Sequence, residues 1–218
     1  MTETYTGDVK VGGGSDTRNT GPLSITKIAV GPMDNNAYFL RCTASGDVLL
    51  IDAANEPDRL LRELGDDRLG RIVTTHQHFD HWQGLPEVFA ATGAPVAAHP
   101  LDAGELPVEA VEPLEDGDTV TVGDCELSVI HLVGHTPGSI ALLYRGPDRP
   151  HLFTGDSLFP GGVGRTTSPE DFASLIDDVE HKLFEKLPDD TWVYPGHGSD
   201  TTLGVERPSL GEWRARGW

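Results

Sequence analysis

The chain has 218 residues and a mass of 23.4 kDa, one domain's worth of polypeptide and enough to bury a core without disulfide staples. Sixteen lysines and arginines face 35 aspartates and glutamates, a formal charge of −19, which repels phosphate backbones and anionic lipid and so excludes nucleic acid and membrane surfaces as expected partners. No apolar run approaches the roughly 18 residues that span a bilayer, and Met1 to Asp16 lacks a signal-peptide core, so the expected location is cytoplasmic.

In chain order, residues 1–21 hold Gly12-Gly13-Gly14-Ser15-Asp16 and almost no large apolar side chains, which predicts a flexible N-terminal arm ahead of a single domain over 22–218. Short apolar or alternating runs then predict strands at Leu23 to Val30, Ala37 to Cys42, Val48 to Ile51, Arg71 to Thr75 and Pro95 to Ala98. Further strands are expected at Thr119 to Val122, Glu126 to Val133, Ser139 to Tyr144, His151 to Thr154 and Thr191 to Tyr194. Helices are expected over Pro57 to Leu64, over Leu85 to Ala91 and from Leu203 towards Arg214. The best-marked helix starts at Ser168-Pro169-Glu170-Asp171, an N-cap with proline and acid behind it, and its apolar face runs from Phe172 to Leu187 before Pro188. Strand-rich segments with interspersed helices suggest sheets covered by helices. Cys42 and Cys125 each sit alone in a strand-like run and read as small buried residues, not as a disulfide or a zinc site.

The nine histidines are unevenly placed. Thr75-His76-Gln77-His78-Phe79-Asp80-His81 follows the apolar Ile72-Val73. In an extended segment side chains two apart point the same way, so His76 and His78 can converge on one ion. Asp80 and His81 come as the chain turns and can reach a second, adjacent ion. Three further segments share one design, an apolar strand, then glycine, then a ligand-type residue: Gly134-His135, Gly155-Asp156 and Gly196-His197. The expected division is His76, His78 and His135 on one ion, Asp80, His81 and His197 on the other, and Asp156 between them. His99, His131, His151 and His181 have no such support and read as structural, with His131 the one placed to back up the His135 segment.

These motifs, with Gly134-His135-Thr136-Pro137-Gly138-Ser139, Phe153 to Phe159 and Tyr194 to Gly198, resemble the metallo-β-lactamase superfamily, in particular its glyoxalase II-like hydrolases, over roughly residues 23–205. The resemblance implies an α/β fold, an αββα sandwich of two mixed sheets flanked by helices, with two metals at one edge. It implies the same ligand division and adds Asp80 as a catalytic group that handles a proton. The implied cofactors are two divalent ions, zinc first, with iron or manganese as alternatives. The implied partner is a small acyl substrate, a thioester or a related ester or lactone, attacked by a metal-bridging hydroxide; oligomeric state stays open. Glyoxalase II proper carries a helical C-terminal extension, whereas 21 residues follow His197 here.

Two departures from the family pattern mark candidate substrate-binding residues. His81-Trp82-Gln83-Gly84 puts a bulky aromatic, Trp82, near the expected mouth where two glycines are common. Gly164-Arg165-Thr166 is followed by Thr167 in place of a common aspartate, and Arg165 suits either a substrate anion or an acidic neighbour. A relative of the same fold, an iron-dependent persulfide dioxygenase, would use His76, His135 and Asp156 on one iron and is the alternative activity.

Overall fold

A computed structural model of the chain describes residues 5–109 and 111–217. The first sheet runs in strand order β1 (Asp16–Asn19), β2 (Leu23–Val30), β3 (Asn35–Cys42), β4 (Val48–Ile51), β5 (Leu69–Val73), β6 (Val96–Ala98) and β7 (Val111–Pro113). Its first four strands pair antiparallel, and β4 to β7 are parallel neighbours. Parallel strands need crossovers, which here are α1 (Pro57–Leu64), α2 (Leu85–Thr92) and the short α3 (Pro100–Ala103).

The second sheet contains β8 (Thr119–Val122), β9 (Cys125–His131), β10 (Ile140–Arg145), β11 (Pro150–Gly155), β14 (Trp192–Pro195) and β15 (Thr201–Thr202), with β11 and β14 parallel. A separate two-stranded ribbon, β12 (Leu158–Phe159) with β13 (Gly162–Val163), follows β11. The helices α4 (Pro169–Asp178), α5 (Leu203–Glu206) and α6 (Leu210–Arg216) complete the chain.

The side-chain period of a strand sorts these sheets into four layers. In β4, Leu49 and Ile51 join the cluster between the sheets, where Tyr38, Leu127, Phe153 and Tyr194 meet them; Val48 and Leu50 point to the opposite face and meet Leu60 and Val88 of the helices. In β11, Phe153 faces inward, whereas Leu152 packs with Leu175, Ile176 and Trp213 on the outer helical side. Strands covered on both faces read as unbroken apolar runs, which is why Val48 to Ile51 is legible as a strand without alternation. The expected αββα sandwich is therefore the observed fold.

Several expectations need correcting. Residues 5–21 are not a loose arm: β1 pairs along β2, and the Asp16 carboxylate accepts from the backbone N–H groups of Thr6 and Gly7. The glycine run hid β1, because Thr17 and Arg18 carry little of the apolar signal of a strand; residues 1–4 of the expected arm lie outside the described residues. Ser168 caps α4 as anticipated, accepting from the Asp171 N–H at 3.0 Å, but regular α-helix ends at Asp178 and Val179–Phe184 continues as a π-helix. The C-terminal helix is broken into α5, a 3₁₀ turn at Arg207–Ser209 and α6, since Pro208 cannot continue the α-helical bonding. Cys42 and Cys125 are buried and free, as expected. Among the described residues no helix is long and apolar enough to cross a membrane.

Candidate metal centre

All seven predicted ligand-type side chains converge beyond the carboxyl ends of β5, β9, β11 and β14, the strand end at which open α/β sheets place their sites. His76 follows β5; Asp80 and His81 lie on a 3₁₀ turn, Phe79–His81; His135, Asp156 and His197 follow β9, β11 and β14. Three overlapping groups form, His76-His78-His135, His76-His81-Asp156 and Asp80-His81-His197, each with ligand atoms within 4.8 Å of one another. His135 Nε2 lies 2.9 Å from His78 Nδ1 and 3.3 Å from His76 Nε2, and His81 Nε2 lies 3.2 Å from His197 Nε2. Asp156 stands between the two sides: Oδ2 is 3.6 Å from His135 Nε2 and 3.4 Å from His197 Nε2, while Oδ1 is 3.4 Å from His81 Nε2.

The outward nitrogens explain how these rings are aimed. His81 Nδ1–H donates to Asp52 at 2.8 Å, His135 Nδ1–H to the Arg165 carbonyl at 2.7 Å, and His197 Nδ1–H to the Met33 carbonyl at 2.9 Å. Thr75 gives its hydroxyl hydrogen to Asp52 and accepts from His76 Nδ1 at 3.0 Å. With Nδ1 engaged outward, each of these four rings presents Nε2 to the centre, as a ligating histidine does. His78 faces the centre through Nδ1 instead.

Close chain approach is needed to bring these loops together. A Cβ at Gly196 would run into Asp156 Oδ1 and come within 2.7 Å of His81 Cε1, and one at Gly155 would lie 2.7 Å from Thr75 Oγ1 with φ at +47°. These are two of the three glycines of the strand-glycine-ligand design.

The donors fit divalent cations. Imidazole nitrogens with carboxylate oxygens are the ligand types of zinc and of non-haem iron. Buried Asp156 Oδ1 has no hydrogen-bond partner, and ring nitrogens face one another at 3.2 Å between His81 and His197 and at 3.3 Å between His135 and His76. Charge in the metal-free site is polarised. Burial disfavours a charged His81, yet Asp156 and Asp52 hold its pKa well above the ordinary value. Burial likewise opposes charge on His197, but hydrogen bonds to Asp156 and Asp80 push it up to about 10. His76 is held well below its ordinary value by burial, reinforced by His81, and His135 is lowered chiefly by burial. Asp80 and Asp156 are both drawn below the usual carboxylate range: burial opposes this, and contacts with His197 and His81 outweigh it.

The model of the metallo-beta-lactamase superfamily matches residues 30–197. The chain belongs to that superfamily. A hydroxyacylglutathione hydrolase of Cereibacter sphaeroides is 39% identical over 166 residues, covering 75% of this chain and 62% of that protein. Among solved structures, the BLEG-1 B3 metallo-beta-lactamase superposes with a TM-score of 0.74 at 29% identity, over 84% of this chain and 96% of that one. TTHA1623, in a di-iron-bound form, superposes with a TM-score of 0.68 at 35% identity, over 83% and 96%.

Within this metallo-beta-lactamase fold, three supporting residues escaped the sequence reading. Asp52, at the end of β4 with φ at +57°, accepts from the Thr75 N–H, the Thr75 hydroxyl and His81. Its placement, an acid directly after an apolar strand, is the signal that singled out Asp156, without the glycine. Asp102 of α3 accepts from the Gln77 N–H at 2.9 Å, the Thr136 hydroxyl at 2.5 Å and the Gly138 N–H at 2.7 Å, so it ties the His76–His78 segment to the His135 loop. Asn35 donates to Asp80 Oδ2 at 3.0 Å.

Arg165 is exposed and lines a cavity of about 390 Å³ with His78, His135, Thr166 and Thr167. Trp82 lines neither this cavity nor its neighbour on the other side of His78 and His135; its indole N–H donates to the Gln77 carbonyl at 2.8 Å and its ring packs on the core under α1 and α2. The aromatic expected at the mouth is thus half-buried and packed against the core. His131 bonds the Pro137 carbonyl of the His135 loop and stacks on His99, so it braces that loop without touching His135's ring. His151 is buried against Tyr194, and His181 is exposed on the π-helix.

Proposed function

We propose that this chain is a two-metal hydrolase of a small thioester, or of a related acyl ester or lactone, with zinc as the expected metal. The observation that carries the reading is Asp156, whose Oδ2 lies between His135 of one ligand group and His197 of the other while its Oδ1 faces His81, so that one carboxylate reaches both ligand groups. His76, His78 and His135 would hold one ion and Asp80, His81 and His197 the other, with Asp156 shared. Two divalent ions so placed supply a nucleophile from water at neutral pH and polarise the substrate carbonyl.

The chain's own groups narrow the leaving group. Asp80 and Asp156 are both held below the usual carboxylate range, so neither carries a proton to give to a leaving group. A thiolate departs without a proton, since a thiol is a far stronger acid than an amine or an alcohol. The Cereibacter hydroxyacylglutathione hydrolase agrees with a thioester as substrate class. Arg165, which lines the cavity with His78 and His135, would meet an anionic group of the substrate. The di-iron form of TTHA1623 makes iron the competitor to zinc.

Metal analysis with an activity panel of thioesters, lactones, a β-lactam and a glutathione persulfide tests the reading. Two ions per chain and thioester turnover that His78→Ala depresses strongly are expected. One iron per chain with oxygen uptake on the persulfide would establish the dioxygenase alternative and sink the hydrolase.

A further inference from the structure

Outside the seven ligand-type side chains, the least expected group in the fold is Lys27, on β2 with no solvent exposure. An ammonium buried alone costs several kcal/mol, so its partners decide whether it is tolerable. All three of its N–H donors are used: the Gly7 carbonyl at 2.9 Å, the Gly198 carbonyl at 2.7 Å and Asp200 Oδ1 at 2.6 Å. The other Asp200 oxygen accepts from the Tyr5 hydroxyl at 2.7 Å and the Trp192 indole at 2.8 Å. Arg18 of β1 lies over both of those rings, 4.4 Å from the centre of Tyr5 and 3.8 Å from that of Trp192.

This network joins three parts of the molecule: the N-terminal segment, the first sheet, and the loop that leaves β14 of the second. That loop carries His197. The ring of His197 is aimed by the Met33 carbonyl, but its backbone is placed by bonds to the carbonyls around it. Asn36 and Tyr38 hold the Pro195 carbonyl, the Asn36 N–H holds that of Gly196, and Asn36 and Lys27 share that of Gly198. Lys27 is the member of this set that also reaches the N-terminal segment, through Gly7 and, by way of Asp200, through Tyr5.

We propose that Lys27 and Asp200 are positioning residues for His197, and that residues 5–19 act through them to set ion binding at the Asp80-His81-His197 group. The proposal rests on the two-metal reading. Stability alone does not call for such a pair, because well-packed apolar residues often replace a buried ion pair without loss. What apolar residues cannot do is hold the Gly198 carbonyl and Asp200 at fixed hydrogen-bond distances one and three residues beyond His197.

The test uses Lys27→Met/Asp200→Leu in the full chain, which removes both charges together, and Tyr5→Phe, which removes one bond. Cobalt(II) binding is followed by its visible spectrum, with the two steps assigned by His78→Ala and His197→Ala. The expected result is that the step lost in His197→Ala weakens about tenfold in the double variant, the low end of what outer ligand supports contribute. The other step stays unchanged, and thermal unfolding stays cooperative. Both steps unchanged, or both weakened alike, would overturn the proposal. If the double variant does not fold, Tyr5→Phe decides on the same readout: selective weakening of that step supports the clamp, and unchanged binding overturns it. Imidazole resonances of the chelator-treated protein give a readout that does not depend on how many ions bind. There His197 should move while His76 does not, and an unmoved His197 overturns the clamp. A wild type that binds one ion while its variants move His197 as expected overturns the two-metal reading and leaves the clamp standing.

Discussion

At the scale of single residues, the centre depends as much on Asp52 as on any ligand. Its carboxylate accepts three hydrogen bonds, two from Thr75 and one from His81, and is 2% exposed. Asp52→Asn replaces one acceptor oxygen by a donor, which must face either the Thr75 backbone N–H, bound to Oδ1, or the Thr75 hydroxyl and His81 Nδ1–H, which share Oδ2. The first choice sets two N–H donors against each other, and the second turns the Thr75 hydroxyl away and pushes His81 towards the wrong tautomer. Metal affinity should fall about 10- to 100-fold, the usual cost of losing an outer partner of a ligating histidine. Isothermal titration of metal into chelator-treated protein measures it, and wild-type affinity in the variant would refute the role given to Asp52. The seven ligand-type residues themselves were legible because unlike residues recur in one local design, HxHxDH once and strand-glycine-ligand three times. Asp52 shows only part of that design, an acid after an apolar strand without the glycine, and Asp102 and Asn35 show none of it, because a carboxylate or amide that accepts or donates across 25 to 45 residues leaves no mark in its own neighbourhood. Trp82 misled for the opposite reason: its position beside His81 is evident in the chain, but the direction of its ring is decided by the core beneath α2.

At the scale of elements, the site rests on loops whose ends are pinned by strands and helix caps. The segment Gly164–Thr167, which supplies the Arg165 carbonyl to His135, runs directly into Ser168 and α4. Ser168 accepts from the Asp171 N–H, and Glu170 and Asp171 lie in the first turn, where the helix end favours negative charge. Ser168→Ala should cost about 1 kcal/mol, the usual cost of losing an N-cap. For a chain of this length that is a fall of about 2–4 °C in the melting temperature. Calorimetry checks it, and a change below half a degree would mean that tertiary packing, not the cap, holds the start of α4. The cap was readable from the chain because Ser-Pro-Glu-Asp is a local signal. The end of the helix was not. Val179, Leu183 and Phe184 continue the buried face whether the turn closes at i+4 or i+5, and the wider π turn shows in backbone bonds such as that from the Glu185 N–H to the Glu180 carbonyl. The strands β1, β7 and β15 are short and carry few apolar residues, so their pairing, not their composition, makes them strands.

At the scale of the whole molecule, the same convergence that assembles the centre makes the native fold sensitive to what it holds. Segments following β5, β9, β11 and β14 bring seven ligand-type residues to one point, so ions bound there bind the folded chain and not the unfolded one. Each ion present at about 1,000 times its dissociation constant adds about 4 kcal/mol of stability. Its removal should therefore lower the melting temperature by about 8–16 °C in a chain of this length. The effect should depend on pH in a direction set by the metal-free site. His197, pushed up to about 10, and His81, also raised, carry protons that an ion must displace. A histidine whose pKa is raised on folding stabilises fully below its unfolded value of about 6.5, and that contribution is lost as pH rises towards the folded value. The metal-free protein thus weakens from about pH 6.5 upward, while ions bind more tightly as the protons become easier to remove. The gap between metal-loaded and chelator-treated melting temperatures should widen between pH 6.5 and 9. In His197→Gln the metal-free chain should lose less stability over that range, because one raised group is gone. Equal melting temperatures at every pH, with metal analysis confirming that the chelator had emptied the protein, would show that these seven side chains do not bind ions in the folded state.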